Sequence, residues 1–487
     1  MSGVNGKDPS EPRAPEGASR AAGGPSSPQA CDLLIRNGYV ITLDGRRRIF
    51  RTGAVAVEGR QITAVGPDRD VAPRFRPKRV IDAGGAPVHP GFFDCHVHMT
   101  LHSTRGAFVD TPDKGEYFNS YVRWMNALGD DDEHASALLA CLEMLRNGIT
   151  CFLEPGTAFQ PDAVAEAAER IGMRGSVADP FLWDIANGHN VMASSMERAP
   201  AKRERAFRLL GGQLRRNQSP DGLVRGHVAL YGEGSASDEL ALAAKACADE
   251  NRVVLTQHQS FEVDDTEVDD ARFGRHVLLH YADIGTLGPN CTFAHMNVIR
   301  DDEVNAVVES GLSIAWNPGN YMNYGIGSTV RTRVSELYRR GVSITPVSDV
   351  AKVWGFGEQG FVGYLVAREK QGYLSPEDLM EMATVCGAKA VGLADRAGSL
   401  EPGKDADIVI RTNAVPEAHP DTNPIRNLVL VSRSKSVDTV IVNGRPVVER
   451  GRTTLVSEED VYALVRASVR RMTSRLGLRT GTSWPEE

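Results

Sequence analysis

Eight short apolar runs, separated by longer amphipathic segments, set the strongest limit on how this chain can fold. Each run is long enough for one buried strand, and the runs span residues 91–98, 149–154, 175–181, 224–231, 253–258, 291–295, 312–317 and 343–349. The segments between them place apolar residues at helical spacing, as in 133–147, 162–171, 238–250 and 302–309. Eight strand–helix repeats are the number that closes a parallel (β/α)₈ barrel. An open doubly wound sheet is the alternative, but no glycine-rich dinucleotide fingerprint follows an early strand.

The segments on both sides of these repeats have a different texture. Short β-prone runs alternate there with turn residues, which predicts one small composite β-sandwich domain, interrupted by the barrel. Residues 457–477 carry apolar residues at helical spacing and predict a terminal helix packed on that domain. The chain therefore divides into a disordered tail rich in Gly, Pro and Ser, a first β part, the barrel, and a second β part with the helix, at 1–30, 31–90, 91–395 and 396–487.

Charge and composition exclude several classes of partner. The 487 residues carry a net charge of −8, and no basic run is long enough for a nucleic-acid or membrane surface. No apolar stretch approaches the roughly 20 residues of a membrane span, and the N-terminus lacks the layout of a secretion signal. The seven cysteines are scattered without a CxxC pair, which favours buried, reduced thiols in a cytoplasmic protein.

Two histidines close the first apolar run, in the stretch Pro90-Gly-Phe-Phe-Asp-Cys-His-Val-His98. Successive side chains of a strand point to opposite faces, so Asp94, His96 and His98 share one face. Two imidazoles on one face can bind a metal ion, given further ligands from elsewhere. The plainer interpretation is a pair of solvent-exposed histidines at a strand end.

Other predicted strands also end in side chains that can bind metal. His258 closes the fifth run, His295 the sixth and Asp349 the eighth. In a closed parallel barrel the carboxyl ends of all strands meet at one rim. Any one of these histidines is more often a hydrogen-bonded structural imidazole. Their joint placement on one rim is much harder to explain without a metal.

The layout resembles the amidohydrolase superfamily, and within it the branch of triazine hydrolases, guanine and cytosine deaminases and S-adenosylhomocysteine deaminase. The resemblance covers residues 32–455 and rests on the motifs PGFFDCHVH from Pro90, QH at 257–258, AHM at 294–296, NPGN at 317–320, VSD at 347–349 and LEPGKDAD at 400–407. It implies a metal-dependent hydrolase of carbon–nitrogen bonds that assembles as a homodimer or larger homo-oligomer. A specialised relative of similar sequence is the follower-peptide amidohydrolase of bottromycin-type natural product pathways.

The resemblance also assigns roles to residues. It implies that His96, His98, His258 and Asp349 bind the metal, with Asp349 also moving the proton of the attacking water. It implies that His295 shuttles protons or polarises the attacked centre. Some relatives hold two metals bridged by a modified lysine after strand 4, but residues 224–231 contain no lysine, so one divalent ion is expected. Zinc suits imidazole and carboxylate ligands best, and iron and manganese are also compatible.

One departure from the family pattern bears on the substrate. Deaminases of this branch read His-x-x-Glu after strand 5, where the glutamate protonates the substrate ring. This chain has Phe261 at that position, Glu262 one residue later and Gln259 as a neutral neighbour. Asn320 falls where relatives often carry a substrate-facing Asn, although a turn-forming Asn explains it equally well.

Because no acid stands at the expected position, our sequence-based hypothesis is hydrolysis of a small-molecule or modified-peptide amide or amidine. Such a carbon needs no ring protonation, and follower-peptide removal is one example. The first alternative is deamination of a purine, pyrimidine or triazine-like ring. The second is an inactive barrel used for binding, which the intact set of four histidines and Asp349 argues against.

Overall fold

The structure is a computed structural model of the whole chain. It describes residues 27–108, 111, 113–186, 191–219, 221–350, 356–370, 372–478 and 484. Most of the predicted tail at 1–30 lies outside these residues, and the first strand begins at Gln29.

Eight parallel strand positions form a barrel, as the apolar runs predict. Its strands are β6 (Phe92–Asp94), β7 (Ile149–Leu153), β8 (Arg174–Val177), β9 (Val224–Gly226), β10 (Val228–Gly232), β11 (Leu255–Gln259), β12 (Cys291–His295), β13 (Ser313–Trp316) and β14 (Ser343–Pro346). Only His227 separates β9 from β10, so these two make one strand position. They pair with neighbours in the order β6-β7-β8-β9 and β10-β11-β12-β13-β14.

The last and first strands meet just beyond their ends. Val97 bridges Asp349 in parallel. The His98 N–H donates to the Asp349 carbonyl at 2.9 Å, and the Asp349 N–H donates to the His96 carbonyl at 3.0 Å. These bonds bring the residues after β14 against the residues after β6 and so set the geometry of the rim.

Helices connect the strands of the barrel and of the β domain, and most of them cover the barrel. Those of the first half are α1 (Asp68–Val71), α2 (Lys114–Ala127), α3 (Asp130–Arg146), α4 (Pro161–Ile171), α5 (Val191–Ser195), α6 (Arg203–Leu209), α7 (Asp238–Asn251) and α8 (Val263–Phe273). Those of the second half are α9 (Val277–Asp283), α10 (Glu303–Ser310), α11 (Pro318–Asn323), α12 (Val334–Arg339), α13 (Phe356–Glu369), α14 (Pro376–Glu381), α15 (Gly387–Ala390), α16 (Pro424–Leu430) and α17 (Glu458–Leu476). The four predicted helical segments correspond to α3, α4, α7 and α10.

The ends of these helices follow from local chemistry. At the start of α7 the Ser237 hydroxyl accepts the Leu240 N–H at 3.2 Å, and acidic residues fill the first turn. Helix α4 begins with Pro161 and ends at Gly172, which adopts the left-handed conformation that glycine tolerates.

A second sheet joins both ends of the chain, as the sequence predicts. Its strands are β1 (Gln29–Ile41), β2 (Ile49–Glu58), β3 (Gln61–Pro67), β4 (Phe75–Asp82), β5 (Pro87–Pro90), β15 (Ile408–Arg411), β16 (Val437–Val442), β17 (Arg445–Glu449) and β18 (Arg452–Thr453). The order is β18-β17-β16-β15-β5-β1-β2-β3, with β4 also pairing with β1. The antiparallel pair β5–β15 connects the two halves, with Ile408 opposite Pro90.

The terminal helix forms at the predicted place and packs on both the β domain and the barrel. On α17 the buried Ser468 hydroxyl donates to Asp132 Oδ1 at 2.7 Å, and Arg471 donates to the same oxygen at 2.6 Å. Asp132 belongs to α3, so this part of the helix packs on the barrel, while Glu458 in its first turn bonds Arg452 and Thr453 of β18 in the β domain. The apolar positions Val461 and Met472 of the helix are buried, which the spacing alone does not reveal.

Two further expectations concern the chain as a whole. All seven cysteines are free thiols, and all but the half-buried Cys247 are buried. Among the described residues, none of the helices has the length and apolar character that a membrane span requires.

Candidate metal centre

Five side chains from four barrel strands meet at the carboxyl rim. His96 and His98 follow β6, His258 lies near the end of β11, His295 ends β12, and Asp349 follows β14. All five are buried, with at most 4% of each residue exposed. Residues that the sequence spreads over 250 positions therefore converge, because parallel strands of a barrel end at one rim.

The backbone at two of these positions adopts an unfavourable conformation. His295 has φ = 70° and Asp349 has φ = 65°, the left-handed region that residues with a Cβ rarely occupy. Such conformations persist where the surrounding structure enforces them, and they cluster at functional sites. Here the turn after each strand directs the side chain toward the rim centre.

The distances within the cluster suit a metal ion. The Nε2 atoms of His98 and His258 are 3.4 Å apart, and His98 Nε2 lies 3.0 Å from Asp349 Oδ1. His96 Nε2 is 3.5 Å from the same carboxylate oxygen. Potential ligand atoms of His96, His98 and His258 all lie within 4.8 Å of one another, as do those of His96, His295 and Asp349.

Two of the histidines are held by groups behind them. His98 Nδ1 is 2.7 Å from the Thr157 hydroxyl, whose own hydrogen goes to Glu154 Oε1 at 2.6 Å. His98 Nδ1 therefore donates, and its Nε2 presents a lone pair. His258 Nδ1 donates to the Tyr231 carbonyl at 2.7 Å, so His258 Nε2 also presents a lone pair. Such fixed tautomers are typical of metal-binding histidines.

The polar atoms at the centre fit a cation better than they fit one another. The lone pairs of His98 and His258 converge beside a carboxylate oxygen. His96 is fully buried, yet neither of its ring nitrogens has a hydrogen-bond partner among the described residues. An unsatisfied buried polar atom costs about 1–3 kcal/mol. A divalent ion accepting these lone pairs would remove that cost, and imidazole with carboxylate is a donor set that suits zinc.

Asp349 is oriented by two asparagines. Its Oδ2 accepts hydrogen bonds from the amides of Asn317 at 2.6 Å and Asn320 at 2.7 Å. Asn320 was predicted as a possible substrate contact, but α11 begins right after β13 and turns this side chain toward Asp349. The structure therefore gives Asn320 a positioning contact instead.

Asn317 also fixes the tautomer of His295. Its amide nitrogen donates to His295 Nδ1 at 2.9 Å while donating to Asp349. His295 Nδ1 is therefore an acceptor, and in the neutral ring Nε2 carries the hydrogen. Burial lowers the pKa of His295 to about 3, although Asp349 acts in the opposite direction. The low pKa keeps the ring neutral.

The electrostatics of the cluster follow from burial and mutual contact. Burial, followed by the neighbouring histidines, lowers the pKa of His258 well below its usual value. Burial alone would raise the pKa of Asp349, but its close contacts with His96 and His98 hold that pKa well below its usual range. The cluster therefore contains an ionised carboxylate, and burial favours the neutral form of the His258 ring beside it.

Asp94 supports the cluster from below, as its place on the strand face suggests. Its carboxylate accepts the Ser348 N–H at 3.2 Å and also bonds the Ser348 hydroxyl. Ser348 directly precedes Asp349, so Asp94 fixes the turn that presents Asp349. Burial raises the pKa of Asp94 to about 7, against the hydrogen bonds from Ser348.

The cluster lies at the floor of a cavity of about 260 Å³. Aromatic rings form much of its wall, contributed by Tyr117, Phe118, Tyr121, Tyr231, Phe261 and Tyr324. The Phe261 ring lies 4.6 Å from the His295 ring and 5.7 Å from the Tyr324 ring. Phe261 therefore faces the site at the position where a catalytic glutamate was expected.

The two neighbours of Phe261 in the sequence-based hypothesis differ. Glu262 lines the cavity. Gln259 does not line the cavity. Its side-chain oxygen accepts a hydrogen bond from the Gln257 amide at 2.9 Å, and its side-chain nitrogen donates to the Ser260 hydroxyl at 3.4 Å. A substrate contact by Gln259 is therefore not supported.

Several residues in the wall were not among those predicted from the sequence. Glu233 follows β10, and Asp264 and Asp265 begin α8. Glu233 has φ = 50°, and Gly232 before it lies so close to β11 that an added Cβ would be 2.0 Å from the His258 carbonyl oxygen. The sequence signal that could have identified Glu233 was an acidic residue two positions after the fourth apolar run, 224–231. Glu154 and Thr157, which hold His98, follow strand 2 in the same manner.

Comparisons with known proteins agree with this geometry. The amidohydrolase family model matches residues 88–447. A 5-methylthioadenosine/S-adenosylhomocysteine deaminase from Syntrophobacter fumaroxidans is 31% identical over 445 residues, which cover 89% of this chain and 97% of the relative.

Two solved structures share the fold at lower identity. An adenosine deaminase from Xanthomonas campestris with bound zinc matches with a TM-score of 0.83 and 23% identity, over 92% of this chain and 100% of that one. A variant of atrazine chlorohydrolase from Arthrobacter aurescens, complexed with zinc and atraton, matches with a TM-score of 0.78 and 24% identity, over 90% and 100%. The resemblance drawn from the motifs, including its branch, is confirmed. The chain belongs to the amidohydrolase family and is a hydrolase that acts on carbon–nitrogen bonds.

Proposed function

We propose that this protein hydrolytically deaminates a 6-aminopurine nucleoside of the adenosine type, with one divalent metal ion, zinc by preference. The observation that carries the proposal is the buried cluster of four histidines and Asp349, which opens into a cavity walled by aromatic rings. Flat aromatic walls suit a purine, because stacked rings attract each other. The relatives support this substrate class, since they are deaminases of adenosine derivatives.

This proposal revises the hypothesis drawn from the sequence. Hydrolysis of a carbon–nitrogen bond stands, but the comparisons favour the deaminase alternative over follower-peptide removal or another amide hydrolysis. They likewise favour an enzyme over an inactive barrel. The absence of an acid at Phe261 is then a question about which other group protonates the ring.

We assign His96, His98, His258 and Asp349 as the residues that would hold the metal. When bound, a divalent metal supplies a Lewis acid that lets water react as a nucleophile near neutral pH. Asp349 accepts a proton from the attacking water and transfers it to the leaving amino group, which departs as ammonia. His295 donates a hydrogen bond from its Nε2–H to the attacking oxygen, in keeping with the tautomer that Asn317 enforces.

We assign ring protonation to Glu233. It lines the same cavity as His258 and Asp349 and comes from the strand beside the one that carries His258. Burial, with repulsion from Asp265, Asp269 and Asp349, raises the pKa of Glu233 well above its usual value, so this carboxyl retains its proton where ordinary glutamates lose it. A proton on the ring nitrogen makes the amino-bearing carbon electrophilic. The hydroxyl proton left on that carbon's oxygen then returns to Glu233 as the 6-oxopurine forms.

A substrate panel tests the proposed function. Zinc-loaded protein is incubated with adenosine, 5′-deoxyadenosine, 5′-methylthioadenosine, S-adenosylhomocysteine, guanine and cytosine, and with linear amides and a macrocyclic amidine. We expect release of ammonia, with formation of the 6-oxopurine, from at least one adenosine-type nucleoside. Hydrolysis of the amides or the amidine without turnover of any purine would overturn the proposal.

Glu233→Gln is expected to lower kcat on the best nucleoside about 100-fold or more, the low end of general acid catalysis, with KM changed much less. The amide fills the same space but has no acidic proton to give. Glu262→Gln is the matched control on the same cavity wall, and its kcat should stay within a few-fold of wild type. A large loss in Glu262→Gln with a small loss in Glu233→Gln would transfer the role to Glu262.

Thr157→Val is expected to weaken zinc binding by about 10- to 100-fold, the usual effect of losing the group behind a metal-binding histidine. Valine keeps the shape but removes the oxygen that accepts from His98 Nδ1. Thr157→Ser restores the hydroxyl and should restore affinity. Competition with a fluorescent zinc chelator measures both variants, and equal affinity in all three proteins would show that Thr157 does not position His98.

A further inference from the structure

The opposite end of the barrel holds a second cavity, of about 360 Å³. Its walls come from the starts of β8 and β9, from the residues before β11, and from the segment after α15. The candidate metal centre lies at the carboxyl ends of the barrel strands, so the two cavities face opposite ends of the barrel.

The wall of this cavity is strongly basic. Its described lining residues include no aspartate or glutamate. They include four arginines, which are Arg174, Arg225, Arg252 and Arg396. Clefts lined by charges of one sign concentrate the electric field and attract counter-ions.

Two of the four arginines are neutralised from behind. Arg174 is buried and donates to both oxygens of Asp407, at 2.8 and 3.2 Å. Arg396 donates to Asp405 Oδ2 at 2.7 Å, and Asp405 also lies 3.3 Å from Arg174. The charges of Arg174 and Arg396 are therefore balanced by buried carboxylates.

The other two arginines have no such balance. The guanidinium groups of Arg225 and Arg252 make no hydrogen bond or ion pair with any residue in the described part of the chain. Arg225 is only partly exposed, and its burial, with repulsion from Arg396 and Arg174, lowers its pKa. His227 adds a further unsatisfied group to the wall, since its Nε2 has no hydrogen-bond partner among the described residues.

We propose that this cavity binds a phosphate-type oxyanion, held by Arg225 and Arg252. Two unpaired guanidinium groups match the charge of a phosphate dianion, and the planar fork of arginine pairs well with phosphate oxygens. The anion comes either as free phosphate or as the phosphate group of a nucleotide. Because the wall joins strands and a connecting segment from both halves of the barrel, the bound anion ties them together and stabilises the fold.

Isothermal titration calorimetry tests this site with inorganic phosphate on the metal-loaded protein, and with AMP and adenosine on the metal-loaded Asp349→Asn variant, in which turnover of the nucleoside is suppressed. Sodium chloride at matched ionic strength is the control for screening. We expect one saturable phosphate per chain and a melting temperature raised by on the order of 3 °C at saturation. Tighter binding of AMP than of phosphate, with none by adenosine at this cavity, identifies a nucleotide as the source, and equal or weaker binding identifies free phosphate.

Variants locate the binding. The double variant Arg225→Gln/Arg252→Gln should weaken phosphate binding at least ten-fold while deaminase activity stays unchanged. Arg69→Gln, a change at an arginine that is 88% exposed, is the matched control and should bind as wild type does. His96→Ala should also retain phosphate binding, which separates this cavity from the metal centre. No saturable binding beyond the chloride control, or binding that survives the double variant, would overturn the proposal.

Discussion

Asp349→Asn should lower kcat by about 10³- to 10⁴-fold on metal-loaded protein, because general acid–base groups contribute up to this factor. The amide cannot accept the proton of the attacking water. The backbone should tolerate the change, since Asn adopts the left-handed conformation of this position more readily than most residues. The new side chain can still accept from Asn317 and Asn320 through its carbonyl oxygen.

Metal content must be measured on the same sample, because Asp349 also stands among the proposed ligands. The informative quantity is kcat per bound zinc, together with the melting temperature as a check of the fold. Asp131→Asn, at an exposed acid in the first turn of α3, is the matched control and should leave activity unchanged. Turnover within ten-fold of wild type in Asp349→Asn would remove Asp349 from the proton transfer.

His96→Ala should abolish stoichiometric metal binding and, with it, all measurable turnover. His96 is fully buried at the centre of the cluster, and its ring nitrogens find no other hydrogen-bond partner in the described residues. Removing it should weaken zinc binding by more than about 100-fold, beyond the loss seen when only a group behind a ligand is removed. Added zinc should raise the melting temperature of metal-free wild type but not of His96→Ala.

The control for this variant is His276→Ala. His276 is also a histidine, but it is exposed and pairs with Asp302 at 2.8 Å, away from the cluster. Metal content comes from inductively coupled plasma mass spectrometry of protein purified without added zinc and again after loading. One equivalent of tightly bound zinc in His96→Ala would exclude His96 from the metal site.

The fold was accessible from the sequence because its signals are local. Each barrel strand is a short run of buried residues, and each helix between them has an amphipathic period, so the eight repeats were found at nearly their structural positions. The packing of α17 was not accessible in this way. Its period shows that one face is buried, but the partner surface on α3 is more than 300 residues away and is selected by contacts such as Ser468 with Asp132.

The site divides in the same manner. Histidines at strand ends identified the cluster, because strand ends of a parallel barrel meet by topology alone. The groups that orient those histidines were missed, since Thr157 and Glu154 carry no signature of their own. Proximity in sequence placed Gln259 and Asn320 among the candidate substrate contacts. Alternation along β11 sets Gln259 on the strand face opposite His258, beside Gln257. The turn into α11 brings the Asn320 amide onto Asp349, within the cluster.

The sequence by itself determined the barrel, the β domain built from both chain ends, and the five side chains at the rim. Those properties depend on periodicity and on the order of strands, which neighbouring residues encode. Only the tertiary structure decided which acids share the cavity with the cluster, among them Glu233, which we propose as the acid that protonates the ring. The physical reason is that a side chain's surroundings are set by the residues packed against it across strands, and these lie far apart in the chain.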